Sequence, residues 1–369
     1  MPNHPKLDCR HYIGDRPCRF GGPCDGCEDY APVGAKVLVV KLAAAGDVLR
    51  STAVLPGIRE TTERCHVTWV TEGPSVPLLE GHPLIDRLLV FGFDAWLELS
   101  RTTFDLVLCL DKDPRAAAFA DSMQADARRG FGLSEWGTVR ALNDGAEYDL
   151  ALGLSNEMKF HENTLTYPEI VCRVAGVPYA RQPYVMALGG ESIVRADAFL
   201  ETLTLKDPVI GLNVGAGPVF AKKAWTPAGY ADLARRITAE LEGSALVLGG
   251  PDDRPRMERV LELSGGAAVD GGLHPLAEFS ALVGRLDALV TGDTMALHIA
   301  VALGVPVVAI FGPTVPQEID LFDRGTKVVT SATCAPCYRR ACDETPDCMD
   351  DVSVDEVFGT LRQVIGEDA

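Results

Sequence analysis

Two kinds of residue in this chain have the types and spacing that do chemistry: cysteines gathered in sets, and carboxylates placed just after apolar runs. Eight of the eleven cysteines form two sets of four, Cys9, Cys18, Cys24 and Cys27 toward one end and Cys334, Cys337, Cys342 and Cys348 toward the other. Each set contains one C-x-x-C, a spacing that lets two thiolates grip one ion from a tight turn. Four thiolates close a tetrahedral site, so the expected group is a structural metal, zinc or iron, with no open position for catalysis. Reduced surface thiols, disulfides made on oxidation, and one site shared between the ends are the competing readings. Cys65, Cys109 and Cys172 lie in apolar surroundings and read as ordinary buried thiols.

The carboxylates point to a second chemistry. Asp47 stands in "KLAAAGDVLRSTAVL" (41–55), directly after an apolar run, where it is either a proton acceptor or the cap of a helix starting near Val48. Asp293 stands in "VTGDTMALHIA" (290–300), between an apolar run and a helix-like stretch. The backbone amides of Thr294, Met295 and Ala296 would open that helix and offer a site for a diphosphate. A carboxylate repels phosphate, so Asp293 is expected on a sugar hydroxyl, with N-capping as the plain alternative. "LNVGAGPVFAKKAW" (212–225) brings Asn213, two glycines that admit a ligand to the backbone, Gly215 and Gly217, and two lysines, Lys222 and Lys223, either of which supplies a cation for a leaving phosphate. "LGGPDDRPR" (248–256) places Asp252 and Asp253 where a ribose or a helix start needs them.

These residues need a scaffold that puts strand ends together. "AKVLVVKL" (35–42), "HVTWVT" (66–71), "RLLVF" (87–91) and "FDLVLCL" (104–110) are short β-branched runs separated by helix-length segments such as 46–60 and 113–123. After the stretch 179–192, which reads as a linker, the alternation resumes with strands at 208–215, 244–250, 267–272, 286–293 and 305–312. Near-continuous apolar strands alternating with helices predict parallel sheets covered on both faces. The expected architecture is α/β, two Rossmann-like doubly wound domains facing across a cleft lined by the carboxyl ends of both sheets. The predicted divisions are a Cys-rich segment 1–34, a first domain 35–190, a second domain 191–349 that includes the Cys-rich loop 334–348, and a terminal helical segment 350–369.

Composition narrows the partners. With 34 Lys plus Arg against 52 Asp plus Glu, the net charge is −18, which argues against nucleic acid and against an anionic bilayer. No apolar run reaches membrane-spanning length, and the first residues lack the apolar core of a signal peptide, so the expectation is a cytoplasmic protein with at most peripheral membrane contact. "DKD" (111–113) follows a strand and mimics a D-x-D metal motif, but nothing else in the chain supports that use.

In combination, "VKLAAAGDVLRSTAVLPGIR", "IGLNVGAG…KKAWTPAGYADLARRI", "VLGGPDDR" and "VTGDTMALHIAVALGVPVVAIFGPT" resemble the ADP-heptose:lipopolysaccharide heptosyltransferases, glycosyltransferase family 9. The resemblance runs in order from about Lys36 to about Thr314. It implies the GT-B fold, an acceptor site in the first domain, a nucleotide-sugar site in the second, and a last helix that crosses back. It also implies Asp47 as general base, Lys223 on the donor phosphates, Asp293 on the heptose, Thr294 beside the phosphates and His298 further along. Chemistry without a catalytic metal is implied too, with an ADP-sugar as donor. The acceptor stays open between a glycan, a lipid-linked glycan, a protein and a small molecule, since a net charge of −18 disfavours electrostatic docking on a membrane. Met295 departs from the family, which usually has glycine there, so a side chain crowds the donor site. Two other readings stand beside transfer: an epimerase or hydrolase of nucleotide-sugars on the same scaffold, and a non-catalytic metal-binding scaffold.

Overall fold

A computed structural model describes residues 4–14, 16–217 and 221–366. The outermost residues of the segments 1–34 and 350–369, Asp15, and residues 218–220 of the glycine-bearing loop lie outside the described residues. The first half runs β1 (Lys36–Val40), α1 (Ala45–Ser51), α2 (Val54–Thr61), β2 (His66–Thr71), α3 (Val76–Leu79), β3 (Arg87–Val90), α4 (Phe93–Leu99), β4 (Thr103–Cys109), α5 (Pro114–Asp121), β5 (Gln124–Leu133), β6 (Val139–Ala141), α6 (Asp144–Leu154) and α7 (Tyr167–Ala175). The second half runs α8 (Gly190–Glu201), β7 (Val209–Asn213), α9 (Pro227–Glu240), β8 (Ser244–Leu248), α10 (Arg254–Ser264), β9 (Ala268–Asp270), α11 (Leu276–Val283), β10 (Ala288–Gly292), α12 (Met295–Leu303), β11 (Val307–Phe311), β12 (Gly325–Val329) and α13 (Val354–Ile365).

The first sheet has the order β3-β2-β1-β4-β5-β6, parallel except for the β5–β6 hairpin. The second has the order β12-β11-β10-β7-β8-β9, parallel between all its neighbours. Counting each half from its own first strand gives 3-2-1-4-5-6 twice, the doubly wound order. Its direction reverses beside β1 in one sheet and beside β7 in the other. At such a reversal the connecting helices leave toward opposite faces, and a crevice opens at the carboxyl ends of the strands. β1, β10 and β11 are buried along almost their whole length, as strands covered on both faces must be. The fold is therefore α/β with two Rossmann-like units, as expected.

Four local outcomes differ from the sequence reading. Residues 46–60 do not form one helix: α1 ends at Ser51 and α2 begins at Val54. Pro56 lacks an amide, and its ring would collide with the carbonyl four residues earlier, that of Thr52, so the helix breaks there. β5, β6 and β12 were not foreseen, because β5 carries Asp126, Arg128 and Arg129 and β12 is a five-residue edge strand. The linker 179–192 is shorter than expected, since α8 starts at Gly190 and packs on α11. The last helix does not cross back: α13 packs on α9 and on β10, β11 and β12 of its own half. Val357, Phe358 and Leu361 are buried there. Among the described residues no helix is long and apolar enough to cross a membrane.

Candidate active site

The two reversal points face each other. α1 leaves β1 and α12 leaves β10, and the two helix tips meet across the crevice. The approach depends on Gly46, where a Cβ would lie 2.8 Å from His298 Cδ2. A cavity of about 530 Å³ fills the crevice. Lys41, Asp47 and Arg50 line it from the start of the first half, Lys159 and Tyr167 from its end. Lys223, Asp293, Thr294, Met295, His298, Glu318 and Tyr338 line it from the second half. A second cavity of about 400 Å³ lies within the second half, bounded by Asn213, Gly215, Gly217, Asp253, His274 and Phe279 among others. Lys223, Thr294 and Met295 line both, so the two spaces adjoin.

Asp47 is not a helix cap. α1 begins at Ala45 behind an extended Ala44 and has no side-chain cap, so Asp47 sits within the first turn. Its Oδ1 accepts a hydrogen bond from Arg50 Nη2 at 2.5 Å, and 37 % of its side chain is exposed toward the cleft. Burial in the crevice pushes its pKa up, but the charges of Arg50 and then Lys41 outweigh that and hold the carboxyl well below the usual range. Lys41 is buried at the end of β1, donates to the carbonyl of Ala43 at 2.6 Å and lies 3.4 Å from Asp111. The "DKD" carboxylates are occupied structurally. Asp111 accepts from the amides of Leu42 and Ala43 at 2.9 and 3.2 Å, and Asp113 caps α5 through the amide of Arg115 at 2.7 Å.

In the second half the helix starts one residue later than the N-cap reading of Asp293 required. Thr294 is the N-cap of α12 and gives its first amides no side-chain acceptor. The Thr294 hydroxyl instead meets Asn213 Nδ2 at 3.2 Å and Thr291 Oγ1 at 3.0 Å, tying β7, β10 and the helix start together. The amides of α12 are thereby left for a ligand, as a helix N-terminus beside a glycine-bearing loop invites. Gly217 has φ +67°, a conformation that suits glycine. A Cβ on Gly215 would collide with the Asp253 carboxylate, which accepts from the amide of Gly250 at 3.0 Å. His298 is buried, with Nδ1 3.2 Å from the Tyr184 hydroxyl and Nε2 3.9 Å from Asp293 Oδ1. Burial and then Arg50 drive its pKa well below 6.5, so it is neutral. Trp225 anchors its loop, donating to the carbonyl of Val352 at 3.0 Å.

Sequence reasoning missed Arg50, Tyr167, Glu318 and Tyr338. Arg50 had a signal, since it lies three residues after Asp47 on the same helical face. The other three arrive by tertiary folding. The Tyr167 amide donates to the carbonyl of Glu318 at 2.8 Å, and Gln317 Nε2 donates to that of Phe160 at 3.1 Å. This segment after β11 therefore reaches across to the first half. Burial raises the pKa of Glu318 despite the nearby charges of Lys159 and Arg50. Tyr338, next to Cys337, stacks on Phe160 with centroids 5.6 Å apart.

Among the described residues no cysteine is joined in a disulfide. Cys9, Cys18, Cys24 and Cys27 line one cavity of about 660 Å³. The Cys348 thiol is pushed up to about 11 by burial first, with Asp347 and then Cys337, Cys334 and Cys342 adding to it. Each set is thus gathered, and all-sulphur donors suit zinc or iron. The sets do not converge, however: among the described residues no three His, Cys, Asp or Glu side chains are arranged to hold a metal ion.

Comparison with known proteins decides the family. Residues 93–347 match glycosyltransferase family 9 (heptosyltransferase). The chain belongs to glycosyltransferase family 9. Among its relatives are the lipopolysaccharide heptosyltransferase 1 of Pseudomonas aeruginosa, 26% identical over 84% of this chain and 88% of that protein, and the lipopolysaccharide core heptosyltransferase OpsX of Haemophilus influenzae, 22% identical over 74% and 78%. A family 9 glycosyl transferase of Veillonella parvula superposes with a TM-score of 0.73 at 19% identity, covering 91% of this chain and 98% of that one. The ADP-heptose heptosyltransferase II of E. coli gives 0.65 at 18% identity over 90% and 99%. TibC of E. coli, a dodecameric iron-containing heptosyltransferase solved with ADP-D-beta-D-heptose, gives 0.56 at 12% identity over 91% and 77%. This family 9 chain is a glycosyltransferase with the GT-B arrangement.

Proposed function

We propose that this family 9 enzyme is an inverting transferase that moves a heptose from ADP-heptose to a hydroxyl of an acceptor. The observation that carries the reading is that Asp47 and the open amides of α12 line one cavity from opposite halves. The ADP-heptose bound by TibC, and named for the E. coli heptosyltransferase II, supports the donor.

The diphosphate rests on the amides at 294–296 and on Lys223, which meet the charge that grows as ADP leaves; Lys223, Thr294 and Met295 line both cavities. Asp293 accepts from a heptose hydroxyl, and Asp253 closes the nucleoside side of the smaller cavity. The acceptor hydroxyl enters on the Asp47 side and attacks the anomeric carbon opposite the departing phosphate. Asp47 takes its proton as the new C–O bond forms and the old one breaks. In this account residues 35–190 serve the acceptor and 191–349 the donor. The enzyme works in the cytoplasm, without nucleic acid and with at most peripheral membrane contact.

The reading is tested by following ADP release from ADP-heptose with a heptose-deficient lipopolysaccharide core as acceptor. Lys223→Met is expected to lower kcat by about 10²-fold, the usual cost of one lost oxyanion donor. A wild-type rate for that variant removes Lys223 from the diphosphate site. Failure of wild-type protein to bind ADP-heptose contradicts the transferase reading, and a changed sugar released without acceptor supports epimerase chemistry instead.

Each cysteine set is proposed to close on a structural zinc or iron ion, a reading supported by the donor chemistry and by the iron of TibC. Closure has to draw the thiols inward from the positions described above. Elemental analysis of purified protein is expected to show zinc or iron, reduced by Cys337→Ser in one set and by Cys24→Ser in the other. Metal-free protein with unchanged melting contradicts this.

A further inference from the structure

We infer that Arg50 and Tyr167 are the positioning pair of the cleft: Arg50 grips one carboxylate oxygen of Asp47, the Tyr167 ring fixes the guanidinium plane, and the second carboxylate oxygen is left to receive a proton. The inference rests on Asp47 as the base. Arg50 follows Asp47 by three residues, a spacing that on an open helix surface is worth only a few tenths of a kcal/mol and lets the pair come and go. Here the setting is different. Only 11 % of the Arg50 side chain is exposed, and its Nε and Nη1 are buried with no hydrogen-bond partner among the described residues. A buried guanidinium whose one bonded carboxylate among the described residues is that of Asp47 cannot release it without leaving the charge stranded.

The remaining contacts close a ring around that ion pair. Arg50 Cζ lies 4.0 Å from the centre of the Tyr167 ring. The Tyr167 hydroxyl lies 3.1 Å from Ser51 Oγ, which donates to the carbonyl of Asp47 at 2.7 Å. Tyr167 is itself held to the second half through the carbonyl of Glu318. The orientation of Asp47 is thus fixed from α1, α7 and the segment after β11 together. The bond from Arg50 reaches Oδ1, while Oδ2 takes no hydrogen bond from the described residues. The other charged or titratable groups facing Asp47 are Lys41 at the end of β1, His298 on α12 and Asp293 just before it.

The test is the pH profile of kcat for ADP release from ADP-heptose with the lipopolysaccharide core as acceptor. Arg50→Gln is expected to lower kcat at neutral pH by about 10²-fold, the scale of a misplaced reacting group, and to leave KM for ADP-heptose unchanged. Its acid limb should move up by about one pH unit or more, because the charge that keeps Asp47 ionised is gone. Arg50→Lys should recover part of both, since it restores a charge without the planar fork. Tyr167→Leu, which removes the ring and its hydroxyl but leaves Arg50 in place, should share the direction and carries the test if Arg50→Gln does not fold. An unchanged acid limb and unchanged kcat in the folded variants overturn the inference, even where Asp47→Asn is inactive. A wild-type rate for Asp47→Asn would instead overturn the base assignment, and this inference with it.

Discussion

Asp47→Asn is expected to reduce sugar transfer by about 10³-fold while leaving the fold and ADP-heptose affinity in place, general base catalysis being worth about 10²–10⁴. The expectation follows from what Asp47 does and does not do. It does not cap α1, so the helix start loses no capping bond when the carboxylate becomes an amide, only the small dipole term of a first-turn charge. The amide oxygen still accepts from Arg50, which keeps the buried guanidinium partnered. What disappears is the second carboxylate oxygen as a proton acceptor. The pH behaviour has a definite sign as well. Burial opposes ionisation of Asp47, but Arg50 and Lys41 hold its folded pKa below the unfolded value of about 4. Its pairing therefore stabilises the fold fully above that unfolded value and is lost only as pH falls through the lower folded one. Activity at pH 5 to 6 should show no limb from Asp47. A measured acid limb in that interval that vanishes in Asp47→Asn would contradict the ion-pair geometry.

Gly46→Val is expected to lower transfer by about 10²-fold, for a reason unrelated to proton transfer. A Cβ at residue 46 already falls 2.8 Å from His298 Cδ2, and His298 cannot retreat because it is buried on α12 and tied to Tyr184. The two helix tips must therefore part. A displacement of about 1 Å between reacting groups costs about 10²-fold in rate, and overpacking costs about 1–3 kcal/mol of stability. Donor affinity should change little, since the smaller cavity lies within the second half. Calorimetric titration with ADP beside a rate measurement separates the two. Equal loss of ADP binding and of rate would show that the donor site does not lie within one half.

What the sequence made legible follows the physics of each segment. Runs such as "KVLVV" and "VVAIF" announce strands covered on both faces, and their order after helices announces two doubly wound sheets. β5 hides because polar and charged residues break its apolar pattern, and β12 because five residues at an edge bury little. α13 was legible as an amphipathic helix, but amphipathicity does not say which surface receives it. Asp47, Lys223 and Asp293 were singled out because the segments joining a strand to the next helix in this fold are where ligands meet backbone, and the structure brings all three to one cavity. Arg50 looked like any charge one turn along a helix until burial bound it to the Asp47 carboxylate. Tyr167 and Glu318 lie 151 residues apart, too distant for any local pattern to pair them. The gathering of the cysteine sets was legible from spacing, whereas their convergence depends on loop positions that spacing does not determine.

The most direct measurement is a crystal structure of the enzyme with ADP-2-deoxy-2-fluoro heptose, a donor analogue already bound by an E. coli heptosyltransferase. The account predicts the diphosphate on the amides at 294–296 and on Lys223. It also predicts an anomeric carbon turned toward Asp47 with room for one hydroxyl between them. A diphosphate seated elsewhere, or an anomeric carbon facing away from Asp47, would contradict it.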